Sequence, residues 1–595
     1  MLRARAILFL AGMLIPSAIL ASPPPVLPIP LPRIIQLPTP PAISPTSGVG
    51  PRQVLTIESV PQLGLSPTVE RSILAHLSRK TSTSNATTTG DNTTAIAPRH
   101  ASPFHAATAG ARPFQPVTET LVASPLTLVC CDDANAEQET ALITNTLPNG
   151  VDYTVTAFMQ FSNNNPPASG NKVWVKSSAN SLPAQLPIRY SASGDPAVAE
   201  NPYPSNIAGD RIYVVATDGA DDQLHYPPSA LEIWYTDNGG VSWTRPTNPI
   251  TSEAVGSGHR HFDDKPSIAV SWWANTLGTV YAAAVRVDLD SGDNHDVNPN
   301  EIVIFRSDNG GVTFAQTARL SRNGSSYGSE PLPNSVPQSP QIVVDQNTGA
   351  VYLFWLEWSG YPSTPSNSTN ANHIFVAKSD ASATGWDVLS AQALAAGTFL
   401  GRGSDYLVDG TGVSLLAQRS MLNTRMNAFG RVIGVVWHAK ESNGEHADIR
   451  YNAFDTTIDQ WRGMHTVNQT PNDGKDQWNG ALDNDGSGTV MVTYYDRRDD
   501  AHRYRMYATK LYPDGTRYAG ADTAVQRLQD QPPSEPEKAV HAFDQGPFKY
   551  YTVGEYQDLW YWRDWKGAFI YAPTFSPPGT TYNTNCAIYH SDVTP

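Results

Sequence analysis

Cysteine is scarce: Cys130, Cys131 and Cys586 are the three in 595 residues, too few for a disulfide framework to define the fold. Positive charge is also scarce, with 40 Lys and Arg against 55 Asp and Glu and a formal net charge of -15. Nothing in that balance competes with the counterions of a phosphate backbone, which excludes a nucleic-acid partner. Helical periodicity is rare, and beyond the first residues no apolar run is long enough to cross a bilayer. What remains is a chain with 43 Gly, 49 Pro, 40% hydrophobic and 9% aromatic residues, the composition of a large all-β protein with many turns.

The N-terminus reads as a targeting segment. Arg3 and Arg5 precede an apolar run from Ala6 to Ile15, and Pro16 to Ala21 completes a signal peptide over 1–21. No Cys follows it, so a lipid anchor is not expected, and the chain is expected to be exported to a periplasmic or extracellular space. Residues 22–118 form a Pro/Ser/Thr-rich linker or pro-segment. Proline is dense from Pro23 to Pro45, which favours extended polyproline II over a packed core. In a eukaryotic secretory pathway Asn85, Asn92, Asn323, Asn367 and Asn468 are glycosylation acceptors by sequence.

From about 119 the chain repeats. Ile304 to Phe314 reads IFRSDNGGVTF, and Trp234 to Trp243 carries the same pattern around Asp237-Asn-Gly-Gly. Degenerate copies surround Asp380 and Asp455, so that Asp237, Asp308, Asp380 and Asp455 stand 71, 72 and 75 residues apart. Such a beat denotes a repeat architecture. In each good copy an apolar run enters a turn whose glycines supply positive φ, and a second strand leaves it. The motif resembles the Asp box, or BNR repeat, of the sialidase superfamily, through Ser307, Asp308, Gly310, Thr313 and Phe314. In that family the box is a structural turn, so the resemblance assigns the four Asp residues to structure.

Paired apolar runs recur seven times between Tyr153 and Tyr589, most preceded by a further strand such as Asp264 to Val270. They predict a β-propeller over 119–595 of four-stranded antiparallel blades, seven in number, or six if a terminal unit only completes its neighbour. In such a blade the Asp-box turns join the third strand to the fourth and lie on one face. The opposite face is then lined by residues just before each first strand and just after each second strand.

Those positions are rich in acids, arginines and aromatic rings. They supply Asp264, Glu357, Tyr495, Asp496, Arg497 and Glu555 as candidate catalytic residues, and His261, Trp358, His438, Trp478, Arg498 and Tyr556 as candidate substrate-binding residues. Paired carboxylates serve as acid and base, and arginines hold anionic groups. The rival reading is that Asp264, Asp496 and Arg497 tie neighbouring blades together. Asp-Lys-Pro-x-Ile-Ala-Val, Tyr-Tyr-Asp-Arg-Arg and Gly-Glu-Tyr-Gln also resemble elements of exported sialidase-like BNR proteins. No Arg-Ile-Pro precedes the first box, however, so the carboxylate-binding arginine triad of true sialidases does not carry over.

The expected function is therefore that of an exported glycoside hydrolase acting on an extracellular glycan. The alternatives are a non-catalytic propeller binding glycans or proteins through Trp478, Trp358 and Tyr556, and a polysaccharide lyase. No metal or cofactor is expected. Asp288-Leu-Asp290-Ser-Gly-Asp293 resembles a structural calcium loop but lacks the distal Glu, and a polar turn is the simpler reading. The chain is expected to be a monomer with no membrane span after signal cleavage. Cys130 and Cys131 near one end of the repeats and Cys586 near the other suggest a disulfide closing the ring, with a vicinal bridge or free thiols as alternatives.

Overall fold

The computed structural model describes strands and most of their turns between residues 122 and 594; residues 1–121 and the longer connections, including 289–299, 321–335, 359–372, 394–406, 525–540, 553–557 and 572–586, lie outside the described residues. Among the described residues there is no α-helix and only one short 3-10 turn, Ala274–Thr276. Six consecutive stretches each form a four-stranded antiparallel sheet: 136–185, 192–253, 261–320, 336–393, 423–466 and 477–524, here called blades 1 to 6. The final sheet is built from both ends of the repeat region. Asp558–Tyr561, Trp565–Tyr571 and Ala587–Thr594 pair in order, and Val122–Ala123 and Thr127–Cys130 both add to the last of them.

The first strand of each blade packs against the first strands of its neighbours, and Asp558–Tyr561 packs on the first strands of both blade 6 and blade 1. The circle is therefore closed, with first strands around the axis and fourth strands at the rim. This β-propeller has six four-stranded blades plus the two-ended sheet that completes the ring. Cys130 lies in that sheet opposite Ile588; Cys131 and Cys586 lie outside the described residues, as do the candidate calcium loop beyond Asp288 and the whole of the signal and linker assignments.

The second strand of each blade is a continuous apolar run because both of its faces are buried between blades. In blade 3, Val280, Ala282 and Ala284 face a core shared with Tyr213, Val215 and Ile233 of blade 2. Tyr281 and Ala283, pointing the other way, join a core with Leu353 and Trp355 of blade 4. Tyr352, Phe354 and Leu356 then turn to blade 5 and meet Ile433, Val435 and Trp437. Each fully buried side chain of this kind contributes about 1.5–3 kcal/mol.

The Asp-box turns join third and fourth strands, as expected. Ser307 Oγ accepts from Gly311 N at 2.9 Å, and Asn309 Oδ1 accepts from Thr313 N at 2.9 Å, closing the loop from within. Gly310 and Gly311 adopt φ of 67° and 80°, and a Cβ on Gly311 would stand 2.7 Å from the Tyr213 ring of blade 2. The same tyrosine donates to Gly310 O at 3.1 Å, and Arg211 both chelates Asp237 and donates to Gly310 O at 3.0 Å. Tyr281 repeats the latch on Ala381 O at 2.7 Å, and Tyr352 repeats it on Asp459 Oδ1 at 3.3 Å. A tyrosine near the start of the second strand thus pins the turn of the next blade.

Asn468 is buried, with Oδ1 accepting from Ile449 N and Nδ2 donating to Asp448. Its amide is committed to the interior, so this sequon is inaccessible in the folded chain.

Candidate functional site at the mouth of the ring

First-to-second and third-to-fourth strand turns share one end of the ring, as the turns at 271–279 and 308–314 of blade 3 do. The opposite end, the mouth, carries the starts of first strands and the ends of second strands. Strands there run longer than the sequence suggested: His261 to Asp263, Trp358, His438 and Lys440 all lie within ladders. Register makes the blades comparable. Asp218 pairs with Ser193, Arg286 with Asp263, Glu357 with Pro337 and Asp496 with Gln477, and in each case the partner lies just before the residue where a bulge begins. Four blades therefore present a charged residue at one station of the second strand.

The Asp496 station is the most completely described. Its side chain is buried. Gln477 Nε2 donates to Oδ1 at 3.3 Å, Arg498 N donates to Oδ1 at 2.6 Å, and Arg498 Nε donates to Oδ2 at 2.7 Å. Arg498 is held in turn by Tyr494 Oη at 3.1 Å and lies 4.1 Å above the Tyr507 ring. Burial pushes the Asp496 carboxyl above its ordinary range, against the opposing pull of Arg498 and Gln477. Tyr495 and Trp478 pack on each other beneath it, centroids 5.5 Å apart, and both are buried.

At the blade 3 station, Arg286 clamps Asp263 with Nε to Oδ1 at 2.8 Å and Nη2 to Oδ2 at 2.9 Å, and its Nη1 reaches Gln316. Burial would raise the Asp263 carboxyl, but Arg286 outweighs it and holds the group below its ordinary value. Asp264 follows, fully buried, with Lys265 Nζ 3.9 Å from its Oδ2. His261 is half-buried and faces Asp288 across the ladder. His438 is buried, and its Nδ1 accepts from Asn479 N at 3.3 Å, joining blades 5 and 6. Glu357 and Trp358 end the second strand of blade 4, where the backbone alone is described; Arg497, Glu555 and Tyr556 lie outside the described residues.

Asp237, Asp308, Asp380 and Asp455 lie at the far end. Asp237 pairs with Arg211, Asp308 with Arg306 and Asp455 with Arg462, while Asp380 accepts from Ser382 N at 2.8 Å. Bonds from Ser382 hold Asp380 below the usual carboxylate range.

One charged station escaped the sequence reading. Asp218 accepts Arg189 N at 2.6 Å and Tyr190 N at 3.2 Å, and Glu232 beside it binds Arg189 Nε. Burial pushes Asp218 up to about 7 and raises Glu232 as well. Its place at the end of the second strand of blade 2, matching Asp496 in blade 6, was the available signal. Among the described residues no group of three or more His, Cys, Asp or Glu has the geometry to hold a metal ion.

No protein-family profile and no curated protein matches the chain. Solved structures with a similar course include an α-L-arabinofuranosidase of Fusarium graminearum, at 9% identity and a TM-score of 0.37, covering 63% of this chain and 93% of that one. A sialidase of Streptococcus pneumoniae matches at 9% identity and 0.37, over 79% and 70% of the respective chains. A leech intramolecular trans-sialidase matches at 11% identity and 0.39, over 66% and 70%.

Proposed function

We propose that this chain is an exported glycoside hydrolase whose substrate glycan enters the mouth of the ring. The observation that carries the reading is the charged tier of Asp218, Arg286, Glu357 and Asp496, set at one station of four blades and remote from the Asp-box turns. Burying carboxylates is expensive unless they are paired or protonated, and a propeller can be closed without such a tier.

In this reading Asp496, whose carboxyl burial raises above its ordinary range, gives its proton to the glycosidic oxygen as the bond from that oxygen to the anomeric carbon breaks. Glu357 acts as the second carboxylate, either attacking the anomeric carbon or activating water to do so. Gln477 and Arg498 fix the orientation of Asp496, so they are positioning residues. The burial of Trp478 under Tyr495 speaks against the open aromatic platform of a purely binding propeller.

The test is a screen of the purified chain against a panel of neutral and acidic glycans, scored by release of reducing ends. Asp496→Asn and Glu357→Gln run alongside. Hydrolysis lost in both variants, with unfolding midpoints preserved, supports the assignment. Activity that survives both, or glycan binding without turnover in the wild type, overturns it.

A further inference from the structure

The connector from blade 1 to blade 2, residues 186–191, crosses the mouth between the strands Ala184–Gln185 and Ala192–Asn201. Its ends are tied by neutral bonds: Leu186 N donates to Val173 O at 3.0 Å, Trp234 Nε1 to Pro187 O at 2.8 Å and Ser191 N to Gly219 O at 2.9 Å. Its middle is held by carboxylates. Asp218 takes the Arg189 and Tyr190 amides on its two oxygens, and Arg189 reaches out with Nε to Glu232 and with Nη2 to Thr247 O at 3.0 Å.

The two acids form a pair. Asp218 lies opposite Ala230 in the ladder and Glu232 opposite Ala216, so they are diagonal neighbours on one face of blade 2, and both are fully buried. Blade 1 covers that face with Val173, Val175 and Leu186, which bring no charge. The charged or titratable side chains around Asp218 are therefore Glu232 on the third strand, Arg189 and Tyr190 in the connector, and Arg245 in the connection to the fourth strand. Glu232 Oε2 and Arg245 Nη1 are buried and make no hydrogen bond among the described residues. Arg245 thus acts on both acids through its charge. Ionising both members of such a pair on a dry face is costly, and the connector amides stand where water would solvate Asp218.

We propose that residues 186–191 are a proton-linked strap, closed while the Asp218–Glu232 pair carries a proton and lifting to admit water when both carboxyls are ionised. Burial raises both carboxyls, Asp218 to about 7. In the open strap Asp218 is solvated and gives up its proton in the ordinary carboxylate range, so opening becomes easier as pH rises and levels off above about pH 7. Glu232 pushes that levelling point up by repulsion, and Arg245 pulls it down. The strap requires no hydrolytic activity at the mouth and is tested apart from it.

The test is hydrogen exchange of the full chain, read by mass spectrometry on peptides covering 186–191 and, as a reference, Val432–Lys440 of blade 5, with rates corrected for the intrinsic pH dependence of amide exchange. Opening at 186–191 should rise about tenfold or more from about pH 5 to about pH 7 and then stay level, while the reference strand keeps one value. Asp218→Asn, which keeps an acceptor for the connector amides, should abolish the rise. Glu232→Gln should bring the levelling point to lower pH and Arg245→Gln should bring it to higher pH, opposite shifts that a loss of packing would not produce. A flat profile in the unaltered chain, a rise shared by the reference strand, a rise that survives Asp218→Asn, or shifts of the two charge variants that are absent or of one sign would overturn the proposal.

Discussion

The two ends of the ring use the same side chain for opposite purposes. At the Asp-box end Asp237, Asp308 and Asp380 remain near solvent, Asp308 having 58% of its side chain exposed, while Asp455 is buried, and all four bond locally to their own turns or to one arginine. At the mouth Asp218, Asp263, Asp264 and Asp496 are buried; burial raises the carboxyls of Asp496 and Asp218, while Arg286 lowers that of Asp263. The difference separates residues that close the ring from residues that give its mouth a chemistry.

The comparison breaks most visibly in turnover. Asp496→Asn should reduce hydrolysis by about a thousandfold or more, whereas Asp308→Asn should leave the rate within about twofold. Steady-state kinetics of the two variants on one substrate decide the matter.

The next largest effect lies in stability and reverses the order. Gly311→Ala places a methyl 2.7 Å from the Tyr213 ring at a φ of 80°, and should cost about 2–4 kcal/mol in denaturant unfolding. Tyr213→Phe keeps the ring and removes the hydroxyl that donates to Gly310 O, and should cost about 1 kcal/mol. Neither substitution should alter the ratio of rates between substrates.

The sequence showed the two good Asp boxes clearly because each is local: serine or threonine, aspartate, asparagine and two glycines within a few residues close their own turn. It also showed the apolar second strands and the two-ended closure, since both follow from the repeat. The tyrosine latch was not legible, because Tyr213 and Gly310 are 97 residues apart and tyrosine suits any strand. Bulges escaped for a related reason. By sequence Lys265-Pro266 lies inside a plain strand and Pro340 opens one; register shows a bulge at the same height in both. At the mouth, residue types were readable but burial was not, so Trp478 looked like a ligand platform when it is packing under Tyr495.

A further effect is a pH slope. Asp218 has its folded value pushed up to about 7, far above the 3.8 of an unperturbed carboxyl, so between those limits the folded chain holds a proton that the unfolded chain releases. Its stabilising contribution is present at acid pH and is lost as pH rises through about 7. Asp218→Asn should keep an acceptor for Arg189 N and Tyr190 N and flatten that slope, as urea midpoints at pH 5 and pH 8 would reveal.

The most direct test of the mouth as the working end is a crystal structure with a hydrolysis product or inert substrate analogue from the glycan screen. The account predicts sugar density at the ends of the second strands, within hydrogen-bonding reach of the Asp496 station. Density at the Asp-box turns, with the mouth empty, would contradict it.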